Sequence, residues 1–392
     1  MRGRPEAVIV RVIEPKYAYP WRAGNRFDLL VDGPAFFARM LEAISTANRH
    51  VLFECYLFES GEVADRFIEA LIRAARQGAR VMVLLDGYGA LGLRPEDRHR
   101  LERGGVDLAF YNALHWQKGV RNLLRDHRKL VVVDGVVGFV GGAGVTDEFD
   151  PQREPHMRWR ETMLEIHGPV VVDWQDLFAS TWRSAGQPAA LLSRPDAAAL
   201  DAGFPARVTV TDGVLRHEIT RTVIRRIAVA RQRVWIATAY FLPSLRLRRA
   251  LAHAARRGVE VNLLLPGPHT DHPAVRHAGR RYYRRLLRHG VRIFEYQPRF
   301  LHAKAVLCDE WASVGSSNLD RWNLRWNLEA NQEVDDPRFA TKLAAIFEHD
   351  FAESSEITRS AWERRPWRLR LLESVWGSVG RWLHSWRHPG AR

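Results

Sequence analysis

The sequence predicts a duplicated α/β fold, in which two pseudo-twofold-related α/β halves each carry a mixed central sheet. Two observations support this prediction. Short apolar runs alternate with amphipathic helical segments along the 392 residues, as in βαβ units. The same order of segments then occurs twice, and each copy leads into the pattern H-x-K-x4-D. The two patterns are about 175 residues apart, which is far longer than a solenoid repeat.

The first half is predicted to begin with a strand at Phe27–Val31 and an amphipathic helix that ends near residue 48. One face of this helix carries large apolar side chains at helical spacing, namely those of Phe36, Phe37, Met40, Leu41 and Ile44. The run 79–86 is continuously apolar up to Asp86, which is typical of a strand covered on both faces. The other predicted elements are a strand at 49–59, a helix at 63–76 that Gly78 ends, a helix at 95–103 and a strand at 106–111.

The second half repeats this order after a stretch rich in Ala, Pro, Gly and Asp, which is typical of a linker. Its predicted elements are strands at 233–243, 259–266 and 290–296, a helix at 245–257 that Gly258 ends, and a helix at 280–288. The predicted division of the chain is therefore an N-terminal arm (1–25), a first domain (26–183), a linker (184–206), a second domain (207–358) and an amphipathic C-terminal segment (359–392).

The repeated motif is the strongest functional signal in the chain. Its residues are His127, Lys129 and Asp134 in the first copy and His302, Lys304 and Asp309 in the second, each followed by a glycine-rich turn, at 141–144 and 315–318. Accidental matches should number on the order of 0.01 in a chain of this composition. Only five of the 59 Lys and Arg residues are lysines, yet two of those five lie in the motifs. A compact ammonium differs chemically from a planar guanidinium, so this choice indicates a chemical requirement.

These residue types suffice for cleavage of a phosphodiester without a metal. One neutral histidine can attack phosphorus, while the other, protonated, donates its proton to the leaving alcohol. The two lysines, with Ser316 and Asn318, can hold the phosphoryl oxygens. No metal-ligand spacing is visible, so we expect neither a metal nor a cofactor.

Four carboxylates complete the predicted site. Glu161 and Glu329 are candidates for the group that fixes the tautomer of each histidine by binding its far nitrogen. Asp134 and Asp309 each end a motif strand and are placed in the catalytic set. The alternative for these two aspartates is a structural role, in which they bind backbone or neighbouring polar groups.

The duplicated motif resembles the defining mark of the phospholipase D superfamily, from about residue 26 to about residue 350. Surrounding segments are similar to bacterial cardiolipin synthases, most of all the short type without N-terminal transmembrane helices; they are 24–26, 29–36, 159–162, 168–169, 315–320 and 327–331. The resemblance implies a phosphatidyltransferase that makes cardiolipin from phosphatidylglycerol and a second phospholipid through a phosphohistidine intermediate. It also implies that His127 is the nucleophile and that His302 acts as acid and then as base.

Among the departures from the pattern of this family, two concern the catalytic site itself. Gly144 stands where the family commonly has asparagine, so we expect Asn318 to provide more of the contacts to the phosphate. Glu161 stands where aspartate is usual, and we expect its longer side chain to lengthen the reach to His127.

The net charge of +14 favours an anionic partner. We expect an anionic phospholipid membrane with phosphatidylglycerol as substrate, rather than nucleic acid. Residues 359–392 hold five of the 14 tryptophans and eight arginines, which suits either the headgroup region of a bilayer or packing on the catalytic body. Residues 116–125 are either a membrane-touching or substrate-gating loop or a packed connector. Because no apolar run reaches transmembrane length, we expect a peripheral protein on the cytoplasmic side of the cell membrane.

Three other functions are compatible with these residues. A hydrolase that releases phosphatidic acid would share the intermediate, because the partition between water and a lipid alcohol depends on how dry the site is. A metal-independent nuclease would bind a single strand through basic and aromatic side chains. A catalytically silent binding protein is disfavoured by the intact motifs. The acceptor alcohol and the oligomeric state stay open.

Overall fold

A computed structural model describes residues 17–152, 154–189, 192, 199–213, 216–320 and 326–365. The strands of the first half are β1 (Arg22–Val31), β2 (His50–Cys55), β3 (Arg80–Asp86), β4 (Asp107–Tyr111), β5 (Arg125–Asp126), β6 (Lys129–Val133), β7 (Val137–Val140) and β8 (Thr162–His167). Its helices are α1 (Gly33–Ser45), α2 (Glu62–Arg76), α3 (Pro95–Arg103) and α4 (Val171–Ser184), with short 3-10 helices at Trp116–Leu123, Asp147–Phe149 and Pro155–Met157.

The second half repeats this order. Its strands are β9 (Phe204–Asp212), β10 (Arg216–His217), β11 (Arg233–Ala237), β12 (Glu260–Pro266), β13 (Arg292–Tyr296), β14 (Ala305–Cys308), β15 (Trp311–Gly315), β16 (Asn327–Asp335) and β17 (Ser354–Glu356). Its helices are α5 (Glu218–Val229), α6 (Leu245–Arg256), α7 (Pro273–Arg280), α8 (Tyr283–Arg288), α9 (Pro337–Ala352) and α10 (Arg359–Glu363).

The two sheets have the same strand order. The first runs β4-β3-β2-β6-β7-β8-β1, with β2, β3 and β4 parallel to one another and the other neighbours antiparallel. The second runs β13-β12-β11-β14-β15-β16-β9 with the same directions, and β17 adds to its β13 edge. The predicted fold class, two α/β halves with mixed sheets, is confirmed.

Each sheet is covered on both faces, as the continuous apolar runs predict. Helices α1, α2 and α3 cover the outer face of the first sheet, and α5, α6 and α8 that of the second. The largest core lies between the two sheets and includes the buried faces of α4 and α9. Alternation along β6 sends Leu130 and Val132 to this central core and Val131 to the outer one. Lys129 therefore has the same orientation as Val131.

The halves are joined by backbone pairing as well as by the core. Strand β1 pairs with β8 of its own half and with β9 of the other, where Arg22 is opposite Ala206. Strand β5 pairs in parallel with β16, and an isolated parallel bridge joins Arg160 to Leu301. These contacts hold the two motif strands at fixed positions relative to each other.

Several predicted boundaries change. β1 begins at Arg22, within the predicted N-terminal arm, and the predicted strands at 49–59 and 233–243 end at Cys55 and Ala237. The predicted helix at 280–288 is confirmed as the shorter helix α8, and a further helix, α7, precedes it where none was predicted. The predicted glycine stops are confirmed, since Gly78 and Gly258 follow α2 and α6 with φ of 100° and 87°, a region that favours glycine.

Candidate active site

The two motif histidines lie where the halves meet. His127 follows β5, and its backbone N–H donates to the carbonyl oxygen of Leu328 in β16 at 3.0 Å. His302 is held in the same way, because its N–H donates to the carbonyl oxygen of Arg160 at 2.8 Å. In both cases the acceptor belongs to the other half, and the next residue along the chain is a glutamate, Glu329 or Glu161.

Each histidine is bound by the glutamate of the opposite half. The Nδ1 atom of His127 lies 3.0 Å from a carboxylate oxygen of Glu329, and the Nδ1 atom of His302 lies 2.7 Å from Oε2 of Glu161. Both glutamates are fully buried. The expectation that Glu161 reaches His127 is therefore wrong, because the antiparallel return of each half places its glutamate against the other half's histidine. Both glutamates predicted from the sequence do bind the motif histidines, but each binds the histidine of the other half.

The two lysines point into the same space. Lys129 Nζ donates to the carbonyl oxygen of His127 at 2.7 Å and lies 5.0 Å from the ring of Tyr56. Lys304 Nζ lies 3.4 Å from Oε2 of Glu161 and 3.0 Å from Nε2 of His302. Burial lowers the pKa of Lys129 to about 8, and the positive charge of Lys304 contributes to that shift. The charge of Lys304 therefore acts on Lys129, as expected for two ammonium groups that share one site.

Burial also sets the charge of the histidines. It lowers the pKa of His127, against the opposing charge of Glu329. It lowers the pKa of His302 well below the usual range, and Lys304 and Lys129 add to this effect. Burial raises the pKa of Glu161, although Lys304 opposes the shift. The site thus favours neutral imidazoles, which is the form that a nucleophilic histidine needs.

The glycine-rich turns bring the two halves into contact. A Cβ atom at Gly142 would lie 2.2 Å from Oε2 of Glu161 and 2.9 Å from Nζ of Lys304, so only glycine leaves room for both groups. In the other turn, the Ser316 hydroxyl donates to Glu329 and accepts the N–H of Ala330 at 3.1 Å. Ser316 was predicted to bind phosphate, but its hydroxyl is already engaged by Glu329. Its role in this structure is to position that carboxylate.

Asn318 differs from Ser316 because no described residue engages the donor of its side chain. Its side chain is fully buried, and its Oδ1 accepts a hydrogen bond from the Thr238 hydroxyl at 3.3 Å. Its Nδ2 has no hydrogen-bond partner in the described part of the chain. A buried amide donor without a partner is costly, so this geometry suits a bound phosphoryl oxygen. In the first turn, a Cβ atom at Gly144 would lie 2.8 Å from Leu57, so the asparagine common in the family would require a local shift.

The comparisons with known proteins concern nearly the whole chain. Residues 40–182 and 223–351 match a family model described as "Cardiolipin synthase, PLD-like domain". Cardiolipin synthase A of Pseudomonas aeruginosa strain LESB58 is 36% identical over 367 residues, which are 92% of this chain and 73% of that protein. Cardiolipin synthase A of Pseudomonas putida is 36% identical over 86% of this chain and 71% of its own length.

The chain belongs to the cardiolipin synthase family of the phospholipase D superfamily. Membership confirms the predicted class of enzyme, a phospholipid phosphatidyltransferase. Two solved structures share the fold. Phosphatidylserine synthase of Haemophilus influenzae has a TM-score of 0.68 and 14% identity, over 93% of this chain and 95% of that one. Polyphosphate kinase of Porphyromonas gingivalis has a TM-score of 0.55 and 16% identity, over 82% of this chain and 50% of that one.

The motif aspartates of this family member have structural contacts. Asp134 accepts the backbone N–H groups of Arg49 and His50 at 2.8 Å and of Asn48 at 2.9 Å. Asp309 likewise accepts the N–H groups of residues 231, 232 and 233 at 2.9–3.0 Å. Asp134 lies at the far end of β6, about 16 Å from Lys129 at 3.3 Å per residue. The catalytic assignment of Asp134 and Asp309 is therefore wrong, and the structural alternative is correct.

Aromatic rings surround the two motif histidines, and the sequence did not predict them. The ring of Tyr56 lies 4.8 Å from that of His127, and those of Trp159, Phe149 and Phe300 lie 5.3–5.7 Å from that of His302. These rings help to desolvate the histidines. A signal was present, because the repeated runs 49–59 and 233–243 both carry a tyrosine at their eighth position.

Of residues 116–125, the part in the 3-10 helix Trp116–Leu123 is not a packed connector, since none of its residues is buried, whereas Arg125 in β5 is buried. Of eleven exposed large apolar side chains among the described residues, five lie on the connections that follow β3 and β4. We call these five the apolar rim; they are Tyr88, Leu91, Leu114, Trp116 and Val120. Trp116 and Val120 are 83% and 70% exposed. Because β3 and β4 end at the edge where β6 begins, the rim borders the active site.

Only the start of the C-terminal segment can be compared with the prediction. Trp362 in α10 is buried, and its ring lies 5.0 Å from that of Tyr283 in α8. This tryptophan packs on the catalytic body, whereas residues 366–392 lie outside the described residues. Within the described residues, every helix is too short or too polar to cross a bilayer.

Proposed function

We propose that this protein makes cardiolipin by transferring the phosphatidyl group of phosphatidylglycerol to a hydroxyl group of a second phospholipid. The observation that carries the proposal is the pair of crossed histidine–glutamate contacts, with two lysines between them. This arrangement supplies a nucleophile, an acid–base group and positive charge for a phosphodiester. The relatives named cardiolipin synthase A, at 36% identity over 92% of this chain, support the choice of lipid.

In the first step, Nε2 of neutral His127 attacks phosphorus, and a P–N bond forms as the P–O bond to glycerol breaks. Glu329 accepts the Nδ1–H of His127, which leaves the lone pair on Nε2 and stabilises the positive charge that develops. His302 donates its Nε2 proton to the leaving glycerol oxygen. The products of this step are phosphatidyl-His127 and free glycerol.

The incoming phosphate itself prepares His302 to act as an acid. Burial and two lysines lower the pKa of His302, so the free protein disfavours its protonated form. A phosphodiester anion between Lys129 and Lys304 neutralises part of that positive charge and raises the pKa of His302 again. Substrate binding therefore charges the acid, while Lys129, Lys304 and the Asn318 amide hold the non-bridging oxygens.

In the second step, the acceptor hydroxyl attacks phosphorus on the intermediate. Its proton passes to His302, which is now neutral, and the P–N bond electrons return to the imidazole of His127. A lipid alcohol gives cardiolipin, whereas water gives phosphatidic acid. Both motif histidines and both glutamates have returned to their starting forms, so the cycle can repeat.

The proposed place of action is the surface of an anionic membrane, on its cytoplasmic side. The apolar rim supports this proposal, because an exposed tryptophan beside the cations Lys118 and Arg121 suits the headgroup region of an anionic bilayer. Hydrogen bonds join the two ends of the connection that carries Trp116. Arg125 Nη2 donates to the carbonyl oxygen of Asn112 at 2.7 Å, and Asn112 Nδ2 donates to that of Leu124 at 2.7 Å.

The test uses purified protein and phosphatidylglycerol vesicles with EDTA, with the products resolved. We expect cardiolipin and free glycerol in equal amounts, and loss of both in His127→Ala and His302→Ala. Phosphatidic acid with no cardiolipin would contradict the proposed transfer and make the protein a hydrolase. Cleavage of single-stranded DNA with no lipid turnover would move it to the nuclease alternative. Dependence on an added divalent ion would contradict the metal-free steps above.

A further inference from the structure

The second half has a cluster of polar side chains at the edge of its sheet that corresponds to the edge with the apolar rim in the first half. Tyr240 follows β11, and Asp271 and His272 lie on the connection from β12 to α7. The parallel strands β11 and β12 end at the same edge of the sheet. Strand β14, which His302 and Lys304 precede, is antiparallel to β11 and begins at that edge. The three side chains therefore border the same active site from the opposite side.

Contacts connect this group to His302. The Tyr240 hydroxyl donates to Oδ2 of Asp271, and the Tyr240 ring lies 6.4 Å from that of Phe300. The Phe300 ring in turn lies 5.7 Å from the ring of His302. Burial lowers the pKa of Lys304, and Asp271 is among the carboxylates close enough to oppose this shift. Asp271 is thus connected to the acid–base histidine through Tyr240 and Phe300.

Asp271 has one carboxylate oxygen to offer a ligand. Its Oδ2 accepts from Tyr240 and lies 3.7 Å from Nε2 of His272. Its Oδ1 has no hydrogen-bond partner among the described residues, and the side chain is 22% exposed. The acid on the matching connection of the first half is different. Asp86 is fully buried and accepts from the N–H groups of Tyr88, Gly89 and Asp126.

We infer that Asp271, positioned by Tyr240, binds a second hydroxyl group of the acceptor while the neighbouring hydroxyl attacks phosphorus. This inference rests on the proposed function and identifies the acceptor class as a lipid with a vicinal diol in its headgroup, such as a glycerol. The attacking hydroxyl gives its proton to His302 and forms the new P–O bond as the P–N bond to His127 breaks. The second hydroxyl donates to Oδ1 of Asp271 and changes no bond.

The contact gives the enzyme a basis for choosing among alcohols. A carboxylate that accepts an O–H bond stabilises a diol but gives nothing to a single hydroxyl, and water has no second group to offer. The diol is therefore favoured over both a simple alcohol and water in the second step. The apolar rim on the other side of the active site offers no such carboxylate. The donor lipid and the acceptor lipid are therefore distinguished by the side of the active site that each contacts.

The experiment measures a product ratio in one reaction mixture. Phosphatidylglycerol vesicles serve as the donor, and equal concentrations of 1,2-butanediol and 1-butanol compete as soluble acceptors. We expect the wild type to form more phosphatidylbutanediol than phosphatidylbutanol. Asp271→Ala should lower this ratio about 10-fold to 100-fold, the value of a hydrogen bond to a charged group. Tyr240→Phe should lower it less, since the carboxylate stays but loses its positioning contact.

Because both products come from the same intermediate, the ratio does not depend on the amount of folded enzyme. His269→Gln is the matched control, an exposed position on the same connection, and should keep the wild-type ratio. An equal ratio in wild type and Asp271→Ala would overturn the inference. A wild type that forms both alcohol esters but no cardiolipin would instead refute the proposed function, while the ratio would still decide the role of Asp271.

Discussion

The crossed contacts make a specific prediction for Glu329→Gln. The variant keeps the size of the side chain and removes its charge. The amide can donate its N–H to Nδ1 of His127, which would place the imidazole proton on Nε2, the attacking atom. Formation of the phosphohistidine should therefore slow, both because the tautomer is wrong and because the positive imidazole loses its counter-charge.

The size of the effect follows from the contact distance. A unit charge at 3.0 Å contributes about 5.5 kcal/mol at an effective dielectric of about 20. Each 1.36 kcal/mol corresponds to about tenfold in rate. We therefore expect a loss of about 10³-fold to 10⁴-fold in the rate of the first step. Glu161→Gln should give a loss of similar size, because the contact of Glu161 with His302 is 2.7 Å long.

A substrate with a different leaving group distinguishes the roles of Glu161 and Glu329. Phosphatidyl-p-nitrophenol releases p-nitrophenolate, which leaves without taking a proton. The burst of nitrophenolate should be restored in Glu161→Gln, whose defect lies in the acid His302. It should stay slow in Glu329→Gln, whose defect lies in the nucleophile His127. Rescue of Glu329→Gln instead of Glu161→Gln would show that the roles of the two histidines are reversed.

The control is a carboxylate on the same strand. Glu333 is buried in β16 and bound by Arg207 at 2.6 Å, outside the site. Glu333→Gln should lower the melting temperature, because it weakens a buried ion pair. Its turnover per folded molecule should stay within about threefold of the wild type, since no reacting group is changed.

The remaining predictions address charge, stability and membrane contact. Because burial brings the pKa of Lys129 to about 8, its charge is present below pH 8 and lost above it. Calorimetric binding of glycerophosphoglycerol should weaken as pH rises through 8, whereas Lys129→Arg should show a flat profile over this range. Asp134→Ala leaves three N–H groups without their acceptor and should cost about 2–3 kcal/mol in urea unfolding. Its folded fraction should stay active, and an inactive but fully stable variant would restore a catalytic role for Asp134. Trp116→Ala should weaken sedimentation with anionic vesicles roughly 30-fold, or about 2 kcal/mol. Val136→Ala, at a site 47% exposed and remote from the apolar rim, should leave vesicle binding unchanged.

Local signals in the sequence account for most of the fold. Apolar runs predicted both sets of parallel strands, and glycines marked the ends of α2 and α6, because these signals lie within a few residues of the structure they specify. Errors occurred where distant contacts decide. Strand β1 extends back to Arg22 because β9, far along the chain, offers it a partner.

The sequence by itself determined the components of the site: two histidines, two lysines, two glutamates and the turn with Asn318. Only the tertiary structure decided how they combine. His127 meets Glu329 and His302 meets Glu161, and no local pattern could choose between this and the uncrossed pairing. The choice depends on β5 joining β16, and on the bridge from Arg160 to Leu301. The tertiary structure also gave the motif aspartates and Ser316 their positioning roles, because each binds a partner 13 to 86 residues away that only the folding of its own half brings near.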